Sequence, residues 1–436
     1  MSAVARRGKR LLKRISIGVT ALTILGLIGF ALLAWRPSIP PIPTPSPASF
    51  PAEKIALGEK LAGAGFCDEC HTVQGSNKPY AGGYAMKTGF GTIYSTNITP
   101  DPQTGIGDWS EAAFRRAMHE GVARDGSHLF PAFPYDHFSK MSDADVSALY
   151  AYFMTRPAIV APTPENELPF PLGIRAFQAG WKLLFFRPGR FEPDPAKSPE
   201  WNRGAYLAEG PSHCGACHTP RNLLGAEKAS ASYAGAVIDN WIAPPLTAAN
   251  PAPVVWTEQE LYDYLRSGVS RFHGTSAGPM GPVVSDGLAV LPDSDIRALA
   301  HYFADIDGAA KRLSDSKPAE RVLANDRLGV RSAQRLYATA CASCHYNGVD
   351  GPNPLRPELA LNNAVNLDDP TNLIQVMLHG INAKDGAPGI VMPAFKNWSN
   401  ADLARVVAYL RSTRSGKAPW NDLEKKIASV RTESDK

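Results

Sequence analysis

From Ile15 to Trp35 the chain runs twenty-one residues without a charge. At about 1.5 Å per residue a helix of that length spans about 31 Å, which matches the roughly 30 Å hydrocarbon core of a bilayer. Residues 1–14 precede it with Arg6, Arg7, Lys9, Arg10, Lys13 and Arg14 and no acid. A basic flank stays cytoplasmic, so residues 15–35 are expected to cross the cytoplasmic membrane once, outward, with everything after them on the periplasmic side. A cleaved signal peptide is the competing reading, but Ala31-Leu32-Leu33-Ala34-Trp35 is a poor small-x-small site. Residues 36–51 hold seven prolines between Pro37 and Pro51. Such a stretch is predicted to be an extended, semi-rigid spacer with a reach of about 45 Å, long enough to stand the rest of the chain off the membrane.

Beyond residue 51 the apolar positions recur at helical spacing and strand-like alternation is nearly absent, so the fold class is all-α. One order of elements returns three times. Each unit opens with a short helical pattern, at Gly58-Glu59-Lys60-Leu61, Gly204-Ala205-Tyr206-Leu207 and Ala333-Gln334-Arg335-Leu336. Middle helices start at Trp109-Ser110-Glu111 and Trp256-Thr257-Glu258. Each unit closes with an amphipathic helix, Asp145 to Tyr152, Asp295 to Tyr302 and Asp402 to Tyr409. Ser142 and Ser399, three residues before the first and third of these aspartates, read as capping-box-like starts. The units are therefore placed at 52–156, 201–306 and 329–415. The join at 157–200 is too long for a simple connection. After its early prolines, Phe177, Trp181, Leu184 and Phe185 recur at helical spacing, either to pack on a neighbouring unit or to meet a partner or the membrane face. Residues 307–328 read as a polar linker and 416–436 as a charged, polar tail.

Cysteine chemistry then gives the units a purpose. All six cysteines fall in three copies of one motif: Cys67-Asp68-Glu69-Cys70-His71, Cys214-Gly215-Ala216-Cys217-His218 and Cys341-Ala342-Ser343-Cys344-His345. Cys-x-x-Cys-His is the attachment motif of c-type haem, with two thioether bonds to the porphyrin and the histidine as proximal iron ligand. A thioredoxin-like dithiol predicts neither the histidine nor three copies. A zinc site would need further ligands for each copy. Three covalently bound haems are the expectation, one per unit, each supplying much of its unit's apolar core.

A haem used for electron transfer usually carries a second axial ligand. Met280, in Gly278-Pro279-Met280-Gly281-Pro282, lies sixty-two residues after His218. Met392, in Val391-Met392-Pro393-Ala394-Phe395, lies forty-seven after His345. Both sit in Gly/Pro-rich loops before a closing helix, where a ligand is more natural than core filler, and both are expected to bind iron. The first unit breaks the pattern. Sixty-two residues after His71 stands Phe133, in Pro131-Ala132-Phe133-Pro134-Tyr135. His137, Met141 and an open five-coordinate iron are the readings left there, with His128 and His119 as weaker alternatives.

Charge changes little. Removing the six basic residues of the N-terminus from the net charge of +4 leaves −2, so no basic surface argues for nucleic acid. With these residues in hand, residues 52–415 resemble the three-haem cytochrome c subunits of membrane-bound bacterial dehydrogenases. Those subunits accompany alcohol, gluconate or aldehyde dehydrogenases and some molybdenum hydroxylases. The resemblance rests on the three motifs, on Phe90 to Asp101 with Gly105 to Trp109, and on Cys217-His218-Thr219-Pro220-Arg221-Asn222. It implies three consecutive cytochrome c-like domains behind one transmembrane helix, and a dehydrogenase partner whose electrons leave towards quinone or a terminal oxidase. Phe133 departs from the alcohol-dehydrogenase type, and Pro131 to Phe138 looks more like subunits paired with molybdenum hydroxylases, which bring molybdenum and iron–sulfur subunits. Nothing in the sequence forms an organic-substrate site with a general base. The alternatives are a haem enzyme with an open, peroxidase-like first iron, and a free-standing membrane cytochrome.

Overall fold

The structure is a computed structural model that describes residues 3–312, 332–345, 356–382 and 391–434. A single helix, α1 (Ala3–Ala34), contains the apolar stretch Leu12–Ala34, long and apolar enough to cross a membrane. The chain that follows is extended, as its prolines require, but it is not a free spacer. The Ile39 amide donates to Arg124 O (2.8 Å) and the Ile42 amide to Asp108 O (3.0 Å). Arg116 donates to Pro37 O (2.7 Å), and His128 Nε2 to Ala34 O (3.0 Å). Gly126 makes room for this segment, since a Cβ there would lie 2.2 Å from Arg36 O. The expected stand-off is therefore corrected. Proline removes donors and favours extension, but its neighbours keep their carbonyls and amides, and the first unit is built to bind them.

The first unit contains α2 (Ala52–Ala64), the motif helix α3 (Cys67–His71), α4 (Glu111–Glu120), α5 (Tyr135–Phe138) and α6 (Asp143–Met154). After α7 (Phe177–Phe185) the second unit repeats the order: α8 (Pro199–Glu209), motif helix α9 (Gly215–His218), α10 (Glu258–Ser267), the single turn α11 (Met280–Pro282) and α12 (Asp293–Asp307). The third has α13 (Ala333–Ala340), motif helix α14 (Ala342–His345), α15 (Thr371–His379), α16 (Asn400–Tyr409) and α17 (Leu423–Ser434). The helix starts read from sequence carry real caps. Ser110, Ser142, Thr257 and Ser399 each accept a hydrogen bond from the amide three residues on.

Opening and closing helices cross closely in each of the first two units, and glycine decides how closely. A Cβ on Gly58 would lie 2.0 Å from Ala148 O, and one on Gly204 equally 2.0 Å from Ala298 O. The repeat is thus a backbone-to-backbone crossing, and any side chain at either glycine would force the pair apart. Three separate clusters of buried residues result: Leu61, Phe114, Met141 and Leu149 in the first unit, Leu207, Ile296, Leu299 and Phe303 in the second, and Tyr337, Ile374, Leu403 and Val406 in the third.

Two further expectations need correction. The fold is helix-rich but not purely helical. Short antiparallel hairpins pair β1 (Ala85–Thr88) with β2 (Gly91–Tyr94), β3 (Ala236–Ile238) with β4 (Trp241–Ala243), and β5 (Val269–Ser270) with β6 (Gly274–Thr275). Strands of two to four residues are too short to show alternation. The expected polar tail also folds. α17 packs on α16 and buries Leu423, Ile427 and Val430 in the third core, while Arg431 reaches back to Asn400 Oδ1, Lys396 O and Trp398 O. Ile427→Ala is expected to cost about 2–5 kcal/mol by loss of buried methylenes, read as a lower denaturation midpoint of the third unit. From residue 313 the 307–328 linker lies outside the described residues.

Candidate haem sites

Each of the first two motif helices follows a sharp reversal of the chain. Phe66 (φ 50°) and His213 (φ 34°), the residues just before Cys67 and Cys214, both take the left-handed conformation, at a cost of about 1–2 kcal/mol each. The reversal sets the direction in which each motif leaves the end of its opening helix. None of the six cysteines forms a disulfide. Burial pushes the Cys67 and Cys214 thiols up to about 12 and those of Cys70, Cys217 and Cys341 up to about 11. A redox dithiol or a zinc thiolate needs the opposite shift.

The three motif histidines are held alike. His71 Nδ1 donates to Thr96 O (2.6 Å), His218 Nδ1 to Pro244 O (2.7 Å) and His345 Nδ1 to Pro357 O (3.1 Å). A proton held on Nδ1 leaves the Nε2 lone pair free, the arrangement that orients a metal-binding imidazole and raises its basicity. Burial lowers the pKa of all three, so each ring is neutral, as a ligand must be.

A continuous cavity of about 610 Å³ joins the second and third motifs. Cys214, Cys217, His218 and Met280 line it at one end, and Cys341, Cys344, His345 and Met392 at the other. Its walls are mostly apolar, with Leu261, Leu265, Leu299, Phe303, Leu373 and Met377 among them. Trp256 Nε1 and Thr275 Oγ1, on the same wall, are buried with no hydrogen-bond partner among the described residues. Trp256 stacks on His273 at 3.6 Å. His and Met side chains lining one cavity, paired cysteines, apolar walls and a few orphaned donors suit c-type haem with its propionate edge. Sequence reasoning missed Thr275 and His273 and saw Trp256 only as a helix marker. The backbone carbonyls that hold the histidines carry no side-chain signal at all.

In the first unit two of the candidates are engaged by other partners. His137 sits at the boundary with the second unit, where its Nδ1 donates to Glu209 O (2.9 Å) and its Nε2 to Glu227 Oε1 (2.9 Å). Both ring nitrogens are taken in this structure, which speaks against His137 as an iron ligand. Its ring packs on the second motif instead, since a Cβ on Gly215 would lie 2.9 Å from His137 Cε1. Burial pulls the His137 pKa down, but the bond to Glu227 and the nearby charges of Glu227 and Asp136 outweigh it and hold it above the usual value. Burial likewise pushes Glu227 up, and His137 with Arg221 more than reverses that. His128 is also engaged, by Ala34 O and by Lys182 Nζ (3.1 Å). Met141 is fully buried in the first core, which Cys67 borders. His119 is buried, with burial pushing its pKa down to about 4. His213, unremarked in the sequence, bridges the two motif reversals through Nε2 to Gly65 O (3.1 Å).

Short helices around Cys-x-x-Cys-His, with the histidine pinned by a backbone carbonyl, define a protein of the cytochrome c class. A cytochrome c family profile matches residues 55–157, and the profile for cytochrome c oxidase, cbb3-type, subunit III matches residues 329–410. The chain is 36% identical to the fructose dehydrogenase cytochrome subunit of Gluconobacter japonicus, over 87% of this chain and 81% of that one. It is 38% identical to the gluconate 2-dehydrogenase cytochrome c subunit of Pantoea cypripedii, over 86% and 89%. It is 46% identical to a nicotinate dehydrogenase subunit of Pseudomonas putida over 93% of its own length, but it spans only about a third (34%) of that relative. The chain belongs to the family of cytochrome c subunits of membrane dehydrogenases.

Proposed function

We propose that this chain is a membrane-anchored, three-haem electron conduit. In this reading Cys67, Cys70, Cys214, Cys217, Cys341 and Cys344 attach the haems, and His71, His218 and His345 are the proximal ligands. Met280 and Met392 are the distal ligands of the second and third. The observation that carries it is the matched restraint of the three histidines, each with Nδ1 on a carbonyl and no hydrogen-bond partner on Nε2 among the described residues. Bound haem supplies one-electron redox chemistry, and the protein sets ligation, burial and spacing. Continuity of the cavity between the second and third motifs supports close contact of those two haems. The His213–Gly65 bond and Phe66 on the cavity wall support the same for the first and second. The order first, second, third follows.

Met141 is proposed as the distal ligand of the first haem. Met141→Leu is expected to change one haem's spectrum and raise its ligand reactivity on reduction, whereas His137→Ala leaves all haem spectra unchanged. A spectral change on His137→Ala alone would restore histidine ligation.

The partner is proposed to be a dehydrogenase with molybdenum and iron–sulfur centres, oxidising a small organic molecule, with quinone or a terminal oxidase as acceptor. The Pro131 to Phe138 segment and the nicotinate dehydrogenase relative, named for an N-heterocyclic substrate, favour it. Gentle solubilisation of native membranes tests this. Co-purification of a large molybdenum-containing subunit with the chain is the expected result. Recovery of the chain alone would support a free-standing cytochrome, and a large high-spin ferric signal with rapid peroxide binding would support the haem-enzyme reading.

A further inference from the structure

The 157–200 join carries the largest set of exposed apolar side chains outside α1 among the described residues. Phe170 is 89% exposed, Leu184 61% and Leu183 59%, and Leu172, Ile174 and Phe177 are also exposed. Isolated exposed leucines mean little, but a contiguous set on one segment marks an interaction surface. The inward face of α7 is different. Ala179 is buried, and Lys182 is buried with its Nζ donating to Glu120 O and Gly121 O (both 2.6 Å) and to His128 Nδ1 (3.1 Å). α7 is thus clamped to the first unit by one side while its apolar side faces out.

What covers that side follows from where α7 lies. Its first residue, Phe177, packs on Phe30 of α1 with ring centroids 5.9 Å apart. Phe30 is four residues inside the end of the apolar stretch at Ala34, so it stands about 6 Å below that end at about 1.5 Å per residue. Interfacial helices bury their apolar face about 5–10 Å into the boundary between headgroups and acyl chains. The His128–Ala34 bond fixes the first unit directly on the same end of α1, which leaves no room to lift α7 clear.

We propose that α7 and the preceding turn, residues 170–185, form a second membrane contact. It lies flat in the outer leaflet beside the crossing helix, and the occupant of the apolar face is lipid. The contact reaches the second unit as well. Trp181 Nε1 donates to Leu224 O (2.9 Å), and Leu223 beside it is 96% exposed. The loop after the second motif is therefore held at the bilayer surface, and the first and second units rest on the membrane along one face. This inference rests on the reading that α1 spans the membrane.

The test uses the full haem-loaded chain in phospholipid nanodiscs. Leu184→Cys, Leu22→Cys and Val391→Cys each add one thiol outside the three motifs, for a nitroxide label whose collisions with oxygen and with a water-soluble nickel chelate report depth. The Leu22 label is expected deep in lipid, the Val391 label in water, and the Leu184 label at acyl-chain depth in the outer leaflet, protected from nickel. A Leu22 label in lipid with a Leu184 label open to nickel would overturn the second contact while leaving α1 spanning; the apolar face would then belong to a protein partner. A Leu22 label open to nickel would overturn the spanning reading and this inference together.

Discussion

A Met280→His variant is expected to shift one of three haem components to lower potential in a spectroelectrochemical titration. The expected drop is a sizeable part of the roughly 0.8 V range over which axial ligands set haem potentials. A thioether favours the reduced iron, and a second imidazole favours the oxidised one. The loop is built to present the thioether. Gly278 takes φ 56° with Trp241 packed so close that a Cβ would lie 2.4 Å from its ring, and the turn α11 then begins at Met280. Met280 packs against the second core and lines the shared cavity together with Cys214, Cys217 and His218. As the second haem is central in the proposed order, lowering its potential should also slow electron flow from donor to acceptor. An unchanged titration would exclude Met280 as ligand. Met392 is presented differently, by a two-way backbone pairing with Ile381 (2.8 and 3.0 Å), and its variant should move the third component alone.

Glu227→Ala should cost about 1–3 kcal/mol, because it leaves a buried ring nitrogen of His137 without its hydrogen-bond partner, while the nearby Asp136 and loss of the ring proton limit the penalty. His137 is 7% exposed, and among the described residues no other carboxylate bonds to its ring. Removing His137 as well should recover part of the loss, which separates the unpaired ring nitrogen from the lost packing. The pH profile has a definite sign. The folded-state pKa of His137 is raised above 6.5, so its contribution is present below about that pH and fades as pH rises through the folded value. The folded-state pKa of Glu227 is lowered below 4.5, so its contribution is present above about that pH and fades as pH falls through the folded value. The pair should therefore stabilise most between about pH 4.5 and 6.5, and Glu227→Ala should flatten the stability profile on both sides. Haem spectra should not change.

What could be read from the chain alone was what is local in it. The Cys-x-x-Cys-His motifs are five residues long, and their covalent chemistry needs no distant partner. Helix starts at Ser110, Ser142, Thr257 and Ser399 are equally local, since a cap bonds an amide three residues away. The apolar length of α1 was likewise plain. Local rules failed where a segment's fate lay elsewhere. The prolines of residues 36–51 specify an extended chain, but only Arg116, Arg124 and Asp108 make it a docked one. The charges after residue 416 hide an amphipathic face whose partner, α16, lies outside the segment.

The three Cys-x-x-Cys-His motifs, and with them the expectation of c-type haem, were legible in the sequence, because two cysteines and the adjacent histidine lie within five residues of one another. The tertiary structure decided the orientation of each histidine, through carbonyls twenty-five, twenty-six and twelve residues away. It also gave His137 its partners. A histidine four residues past a missing ligand is a reasonable candidate in one dimension. In three, Glu209 and Glu227 from the next unit hold both its nitrogens, and no spacing within the first unit could have announced them.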